Sequence, residues 1–458
     1  MQPLVRFLTF LIVGLALPLS AFADDDIEAL QKRLAEIEAE QAKSQATIDA
    51  LRTQIEALSS TTADDRPDST TADAGRKASP PPAPRPAKRA IFPELANEAQ
   101  FKLTSDDGQF DFGIDGFIAT RFEYNHRKDD GTGSSDNSSG FENTATRLNF
   151  RGSVYEDIGY WARVNADSFG DPVIDAAMII WHINENTNLV AGQFPNLLTR
   201  EQGAPVDWLQ TAESSPTNFT FDQFAYKGVM VGYHTPRVIY RGIINDGYRS
   251  TNNSFFEEPS AEWAVAGQVV GMAVGDESDF ARFNDFTSRP GSDFAWQLSA
   301  GIHLQEGDDN LEPNGDGSDD LSLGILESSM EGDGWNLYVA GYYRDTEGPT
   351  TSEISYKDMG FVLQGGAWVS THFEAYSRFD ITLPDDDRPT ENEDFRTLTG
   401  GFAFYPYPYT NNFKINTEVL YMFDAEAESI VAPNVNSSVR ASPEDDQWVF
   451  RTQASLRW

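Results

Sequence analysis

The residues in this sequence that are best suited to chemistry are arginines at odd-numbered positions within stretches of alternating sequence. Arg147 and Arg151 lie in one stretch, Arg121 lies in the stretch before it, and Arg163 lies in the stretch after it. A guanidinium group stays charged at any physiological pH and binds carboxylate or phosphate oxygens through two parallel hydrogen bonds. The spacing therefore indicates a surface that attracts anions.

A β-sheet would bring these arginines together on one face. Apolar residues take the even-numbered positions of the same stretches, as in Phe112, Ile114, Leu148, Phe150 and Val164. Successive side chains of a strand point to opposite faces of the sheet, so each strand has an apolar face and a polar, partly charged face. If the apolar faces meet lipid, the arginines line a water-filled lumen. A secreted β-sandwich gives the same alternation, which therefore does not decide between the two.

The rest of the chain repeats the pattern. About 16 alternating segments can be predicted between residues 101 and 458, an even number typical of outer-membrane barrels. Their connections alternate between short ones, such as Thr235-Pro236, and long ones, such as 129–140. An up-and-down barrel has short turns on the periplasmic side and long loops outside. The predicted fold is all-β, a transmembrane antiparallel up-and-down β-barrel of about 16 strands (16–18) over residues 91–458, preceded by an α-helical coiled coil.

Composition and the first residues indicate the compartment. The chain has 458 residues, a formal net charge of −38 and no cysteine, which argues against a nucleic-acid partner and excludes disulfides. Arg6, the apolar run 7–17 and the small residues up to Ala23 predict a signal peptide over residues 1–23. An N-terminal anchor helix is the alternative, although the apolar run is too short to span a bilayer. The predicted location is the outer membrane of a Gram-negative cell.

Residues 24–59 have the heptad pattern of a coiled coil. A single amphipathic helix is the alternative, although the apolar stripe is narrower than a core-facing helix needs. Residues 60–90 form a Pro-rich linker that is predicted to be extended. The coiled coil would lie in the periplasm and implies an oligomer, for which the outer-membrane barrel that follows suggests a homotrimer. The basic end of the linker would contact peptidoglycan or lipid phosphates, or be solvated. The predicted core positions are Ile27, Leu30, Leu34, Ile37, Ile48, Leu51, Ile55 and Leu58.

Arginines on other segments extend the predicted basic wall, because closure of a barrel puts the last strand beside the first. Acidic residues share this face, so two interpretations stay open. One is a net basic pore that passes anions, and the other is a structural network in which each arginine is paired with a carboxylate across strands. The predicted pore-lining arginines are Arg121, Arg147, Arg151, Arg163, Arg237, Arg241, Arg378, Arg451 and Arg457. The acidic residues on the same face are Asp115, Glu123, Asp167, Asp175, Glu374, Asp380 and Glu418.

The long connection 195–224 is predicted to fold into the lumen as a constriction loop. Folding over the rim of a trimer is the alternative. The polar and aromatic candidates within this connection are Arg200, Glu201, Asp207, Trp208 and Asp222.

Several motifs point to one family. They are Arg147-Leu-Asn-Phe-Arg-Gly-Ser-Val154, Trp161-Ala-Arg-Val-Asn-Ala-Asp167, Val190-Ala-Gly-Gln-Phe-Pro-Asn-Leu-Leu-Thr-Arg-Glu201 and Phe373-Glu-Ala-Tyr-Ser-Arg-Phe-Asp380. Together with a final alternating strand that ends on Trp458, they resemble the phosphate-selective porins O and P over about four-fifths of the chain. The resemblance implies a trimeric, anion-permeable porin of about 16 to 18 strands.

The predicted function is passive diffusion of small anionic solutes, phosphate or carboxylates, through an outer-membrane porin. Outer-membrane lipid and lipopolysaccharide are the expected surroundings. The alternative is a structural protein that tethers the membrane to the cell wall through its coiled coil. The five histidines lack metal-ligand spacing and no nucleophile elbow is present. No enzymatic activity, metal site or cofactor is therefore predicted.

Overall fold

The computed structural model describes most of the chain from residue 101 to its last residue. The predicted signal peptide (1–23), coiled coil (24–59) and Pro-rich linker (60–90) lie outside the described residues, as does Asp167. The described residues are 101–128, 137–155, 157–166, 172–249, 261–307, 320–348, 355–433, 437–440 and 442–458.

Seventeen strands account for most of these residues. The first nine are β1 (Phe101–Thr104), β2 (Phe110–His126), β3 (Ser138–Val154), β4 (Ile158–Ala166), β5 (Pro172–His182), β6 (Thr187–Pro195), β7 (Ala225–His234), β8 (Val238–Asn245) and β9 (Trp263–Val274). The others are β10 (Ala295–Glu306), β11 (Asp320–Gly332), β12 (Trp335–Glu347), β13 (Ser355–Trp368), β14 (Phe373–Leu383), β15 (Phe395–Phe404), β16 (Phe413–Met422) and β17 (Gln447–Arg457).

Strands β2 to β17 form a closed antiparallel ring. Each strand pairs with the next along the chain, and β17 returns to pair with β2, with Arg451 opposite Glu123. Strand β1 pairs with 111–114 of β2, just beyond the end of β17. The prediction of a 16-stranded up-and-down barrel is therefore confirmed at the level of the fold. The additional strand β1 was not predicted, because four residues are too few to show a period of two.

The two faces of the ring differ as the alternation predicts. Ile118, Leu148 and Leu456 are 38, 40 and 47% exposed, while the inward-facing Arg121 and Arg451 are fully buried. An outer face of exposed apolar side chains and an inner face of polar ones is the reverse of a soluble sandwich, where apolar side chains fill the core.

One long connection departs from the predicted alternation of short and long connections. The connection 275–294 joins β9 to β10 on the side of the short turns, yet it is long and contains a 3-10 helix, Glu277–Asn284. The Asp276 side chain caps this helix. Phe280 and Phe283 are buried inside the barrel, which explains why the segment folds inward. We call 275–294 the turn-side insert.

Within the described ranges, helical structure lies in the connections between strands. Two short helices, α1 (Arg200–Gly203) and α2 (Pro216–Phe221), lie between β6 and β7 with a 3-10 turn at Val206–Trp208. A further 3-10 turn, Glu426–Glu428, lies between β16 and β17. Among the described residues, no helix has the length and apolar character needed to cross a membrane.

A substitution at Gly192 tests how closely β6 packs against β5. Its φ of 127° favours glycine, and a Cβ at this position would collide with the carbonyl oxygen of Ala177. We expect Gly192→Ala to lower the free energy of unfolding by about 1–3 kcal/mol, measured by urea titration of the detergent-solubilised protein. Gly242→Ala is the matched control, because a Cβ on Gly242 meets nothing within 4 Å. Equal losses in the two variants would contradict the assignment.

Candidate functional site: the loop-filled lumen

The connection 196–224 lies inside the barrel. Glu213 forms an ion pair with Arg121 of β2 at 3.2 Å, and Arg200 forms one with Glu331 of β11 at 2.6 Å. Strands β2 and β11 lie on nearly opposite sides of the ring. A segment that reaches both walls has to cross the interior. We call 196–224 the inner loop.

Side chains of the wall hold the backbone of the inner loop along 209–213. The donors come from β14, β16 and β17, and each meets a backbone carbonyl oxygen of the loop. Such bonds satisfy buried carbonyl groups that would otherwise be costly. The pairs are Lys414 Nζ with the oxygen of Leu209, Asn416 Nδ2 with Gln210 (2.7 Å), Gln453 Nε2 with Ala212 (2.9 Å) and Arg378 Nη1 with Glu213 (2.9 Å).

Two glycines of the wall make room for the loop. A Cβ on Gly360 of β13 would lie 2.6 Å from the side chains of Phe221 and Thr217. A Cβ on Gly366 of the same strand would collide with the side-chain amide of Gln210. The inner loop therefore contacts the wall at van der Waals distance.

Local sequence explains the two turns of helix in the loop. Thr199 caps α1 by accepting from the N–H of Gln202 at 3.1 Å, and Ser215 caps α2 by accepting from the N–H of Asn218 at 2.9 Å. Pro216 follows at the first helical position, which suits its fixed φ. The buried Glu201 carboxylate accepts from the N–H of Ser215 and so joins the two turns.

Arg200 connects the inner loop to the turn-side insert. Its guanidinium group donates to the carbonyl oxygens of Phe283 (2.9 Å) and Asp285. It also lies over the rings of Phe283 and Phe286, with its Cζ atom 5.0 and 4.3 Å from their centroids, a cation–π arrangement. The two connections, which enter from opposite ends of the barrel, therefore meet in its interior.

Most of the predicted pore-lining arginines are ion-paired inside the barrel. Their partners are carboxylates of neighbouring strands or of the inner loop. The pairs are Arg121 with Glu142 (2.5 Å) and Glu213, Arg147 with Asp175 (3.9 Å), Arg151 with Asp115 (2.6 Å), Arg163 with Asp175 (3.3 Å), Arg378 with Glu201 (3.5 Å) and Asp380 (3.7 Å), Arg451 with Glu418, and Arg457 with Asp207 (2.5 Å).

Two predicted arginines differ from this group. Arg241 faces inward from β8 and donates to the side chain of Gln268. Arg237 is not on a strand: it lies in the exposed turn between β7 and β8. The prediction that Arg237 extends the wall is wrong, because Thr235 starts the turn by bonding to Val238 and so ends the alternation there.

The other predicted loop residues have structural partners. The Arg457 guanidinium carbon lies 4.8 Å from the ring centroid of Trp208. Asp207 is the ion-pair partner of Arg457. The buried Asp222 accepts from Asn196 Nδ2 at 2.9 Å.

The inner loop leaves a cavity of about 330 Å³ against β3, β4 and β5. We call it the arginine cleft. Arg147 and Arg163 line it on either side of Asp175, and the Arg147 side chain is 21% exposed. Two guanidinium groups lie beside one carboxylate here, and the inner loop adds Glu201, Glu213 and Asp222 to the same lining, so the cleft brings arginines and carboxylates to one accessible space.

Several residues that hold this site were not predicted from the sequence. Lys414 and Asn416 occupy the even, polar positions of β16 and could have been assigned to the inner face by parity. Phe283 and Phe286 gave no usable signal, because an aromatic residue in a connection does not reveal what it packs against. Glu213 gave none either, because its partner Arg121 is 92 residues away.

A closed ring of 16 strands with an inner loop defines a porin-like β-barrel. Solved structures share this fold. The outer-membrane-expressed OmpT of Vibrio cholerae is 12% identical and aligns with 78% of this chain and 100% of its own, with a TM-score of 0.51. An anion-selective porin from Comamonas acidovorans is 11% identical over 76% of this chain and 100% of its own, also with a TM-score of 0.51.

A trimer form of the Vibrio cholerae protein, folded in vitro, gives the same TM-score of 0.51 at 12% identity over 76% of this chain and 99% of its own. At such identities the likeness concerns the fold alone. No protein-family model matches the sequence, and comparison with curated proteins gives no match.

The Arg200 contacts lead to a stability prediction. Arg200→Ala would leave the carboxylate of Glu331, which is 1% exposed, without its ion-pair partner. We expect a loss of about 3–5 kcal/mol in the free energy of unfolding, measured by urea titration. The control is Arg282→Ala, which removes a partly exposed pair with Asp279 and should cost less than about 1 kcal/mol. Similar losses in both variants would show that Arg200 does not hold the two connections together.

Proposed function

We propose that this protein is an outer-membrane porin through which small hydrophilic solutes diffuse passively. The observation that carries the proposal is the combination of an apolar outer face with a closed ring whose polar interior contains an inner loop and the arginine cleft. An apolar belt suits hydrocarbon, and a polar lumen suits water and ions. The fold shared with a protein expressed in the outer membrane and with an anion-selective porin supports this proposal.

We further propose that the pore prefers anions such as carboxylates or phosphate. The wall as a whole does not supply this preference, because most of its arginines are neutralised by ion pairs. The preference would come from Arg147 and Arg163, because both line the open arginine cleft and the Arg147 side chain is 21% exposed. A guanidinium group can replace part of the hydration shell of an entering anion, which lowers the cost of desolvation. Membership of the phosphate-selective porins and a homotrimeric assembly belong to the same proposal.

Replacing both cleft arginines should change ion selectivity. A unit charge at about 4 Å in water contributes about 1 kcal/mol, or roughly a fivefold change in partitioning. We therefore expect Arg147→Gln with Arg163→Gln to lower the anion-to-cation permeability ratio by about fivefold. The measurement is the reversal potential of the purified protein in planar bilayers under a salt gradient.

The matched control for this experiment is Arg396→Gln, which removes an exposed arginine that pairs with Asp424 on the outer face of β15. It should leave the reversal potential unchanged. An unchanged value in the double variant would exclude the cleft as the selectivity site, and absence of any conductance in the unmodified protein would overturn the proposed function.

Selectivity should also depend on pH. Glu201 and Glu213 line the arginine cleft from the inner loop, outside the membrane-spanning strands. Burial raises the pKa of both carboxyl groups to about 7, despite the nearby charges of Arg378 and Arg121. Because the groups are neutral below this pKa and negative above it, the anion preference should fall as the pH rises through about 7.

The same bilayer recordings at a series of pH values test this expectation. In the Glu201→Gln and Glu213→Gln double variant, the reversal potential should vary much less across that range, since glutamine does not titrate. Asp222, whose pKa burial raises to about 6, still lines the cleft. A pH response of full size in this variant would assign the titration to other groups.

A further inference from the structure

The lumen contains a second cavity, which is separate from the arginine cleft. It has a volume of about 230 Å³ and lies between the inner loop, the turn-side insert and the inner faces of β8, β9 and β10. Arg241, Gln268 and Gln297 line it from the wall, and Ser278 and Phe280 line it from the insert. We call it the turn-side cavity, because the insert enters the barrel from the side of the short turns.

Helix α1 separates this cavity from the arginine cleft. Thr199 and Arg200, at its start, line the turn-side cavity, whereas Glu201 and Gln202 line the arginine cleft. Gly203 and the adjacent Ala204 line both cavities. The two spaces therefore approach each other at the end of α1.

We call α1 the partition between the two cavities. It is thin at Gly203, because this residue places no side chain between them. A Cβ on Gly203 would have a single neighbour, Leu197 Cδ2, at 3.7 Å, which is ordinary van der Waals contact. Unlike Gly192, Gly203 has no positive φ, so a larger residue fits its backbone. The absence of a side chain here keeps open a space that a larger residue would occupy.

The partition is held in a fixed position. The Thr199 hydroxyl caps α1, the Arg200 guanidinium group is bonded to the turn-side insert, and the buried Glu201 carboxylate is bonded to the N–H of Ser215. Arg200 and Glu201 are thus tied to two different parts of the interior, while Thr199 stabilises α1 itself. A passing solute would meet a rigid edge at this point.

We propose that solutes cross the barrel obliquely, from the arginine cleft past Gly203 and Ala204 into the turn-side cavity, and that Gly203 is the residue that limits their size. This inference rests on the proposed function and specifies its route. The route runs from the β3–β5 wall to the β8–β10 wall, and two basic residues, Arg163 and Arg241, stand at its two ends.

A substitution that fills the partition tests the route. Gly203→Phe should remove most of the unitary conductance in planar bilayers, because its ring would project into the passage. Gly242→Phe is the matched control, since Gly242 lies on the outer face of β8 with nothing within 4 Å of its Cβ position. It adds the same volume to the exterior and should conduct like the unmodified protein. Circular dichroism and urea titration establish that both variants are folded.

Because the chain has no native cysteine, a single introduced cysteine can be modified selectively. This allows a second test, in which the bulky group is added only after the protein has folded. Gly203→Cys is folded first and then treated with a negatively charged methanethiosulfonate during recording. We expect a stepwise loss of conductance and a weaker anion preference. Thr371→Cys, in the exposed turn between β13 and β14, should be modified without either change, and the cysteine-free protein should not respond.

The outcomes separate the two proposals. If the unmodified protein conducts but Gly203→Phe and modified Gly203→Cys conduct equally well, the route past Gly203 is wrong while the porin function stands. If the unmodified protein does not conduct at all, the porin function itself fails. Loss of conductance in both Gly203 variants but in neither control supports the oblique route.

Discussion

Ionised groups inside a protein are tolerated only where partners or water offset the cost of removing them from solvent, a cost of several kcal/mol for each ion. The interior of this barrel holds many such groups, and the inner loop supplies partners for several of them. Glu213 meets Arg121, Asp207 meets Arg457, and Glu201 meets Arg378. The loop is thus part of the charge balance of the wall as well as an obstacle in the lumen.

This balance changes how the arginines of the wall should be understood. Counting arginines on the inner face suggests a strongly basic pore, yet the network interpretation describes most of them better, because carboxylates lie within ion-pair distance. Arg147 and Arg163 differ from the other wall arginines in their surroundings, because they border the open arginine cleft together with Asp175. The number of arginines on the inner face therefore does not by itself describe the charge that a solute would meet.

The fold could be predicted largely from the sequence, and the site only in part. All sixteen predicted segments overlap β2 to β17, because the pleat of a strand imposes a period of two that survives in each segment separately. The inward direction of Arg121 and Arg451 follows from the same period. Which carboxylate each arginine meets does not follow, because Arg378 and Glu201 are 177 residues apart and their contact depends on how the inner loop folds.

The turn-side insert shows a second reason for the difference. Connection length is a statistical expectation, and the physical driving force here is burial of aromatic side chains. Phe280 and Phe283 pack with residues of the adjoining strands β9 and β10, whereas Phe286 packs with distant residues such as Tyr338. The odd or even position of a residue also fails to predict its face at the ends of strands. At Arg237, for example, the geometry of the turn determines where the side chain lies. Local sequence patterns therefore predict the strands, whereas the arrangement of side chains in the lumen depends on contacts between segments that are distant in sequence.

The inner loop also spans the seam where the first and last strands of the ring meet. Arg121 of β2 holds Glu213, and Gln453 of β17 holds the carbonyl oxygen of Ala212, so neighbouring residues of the loop are bound to both sides of this seam. During folding, the strands of the seam would lack these partners until the loop has entered. Circularisation of the sheet and docking of the loop should therefore occur as one cooperative event, and a chain with an undocked loop should expose a partly open seam to proteases and chaperones.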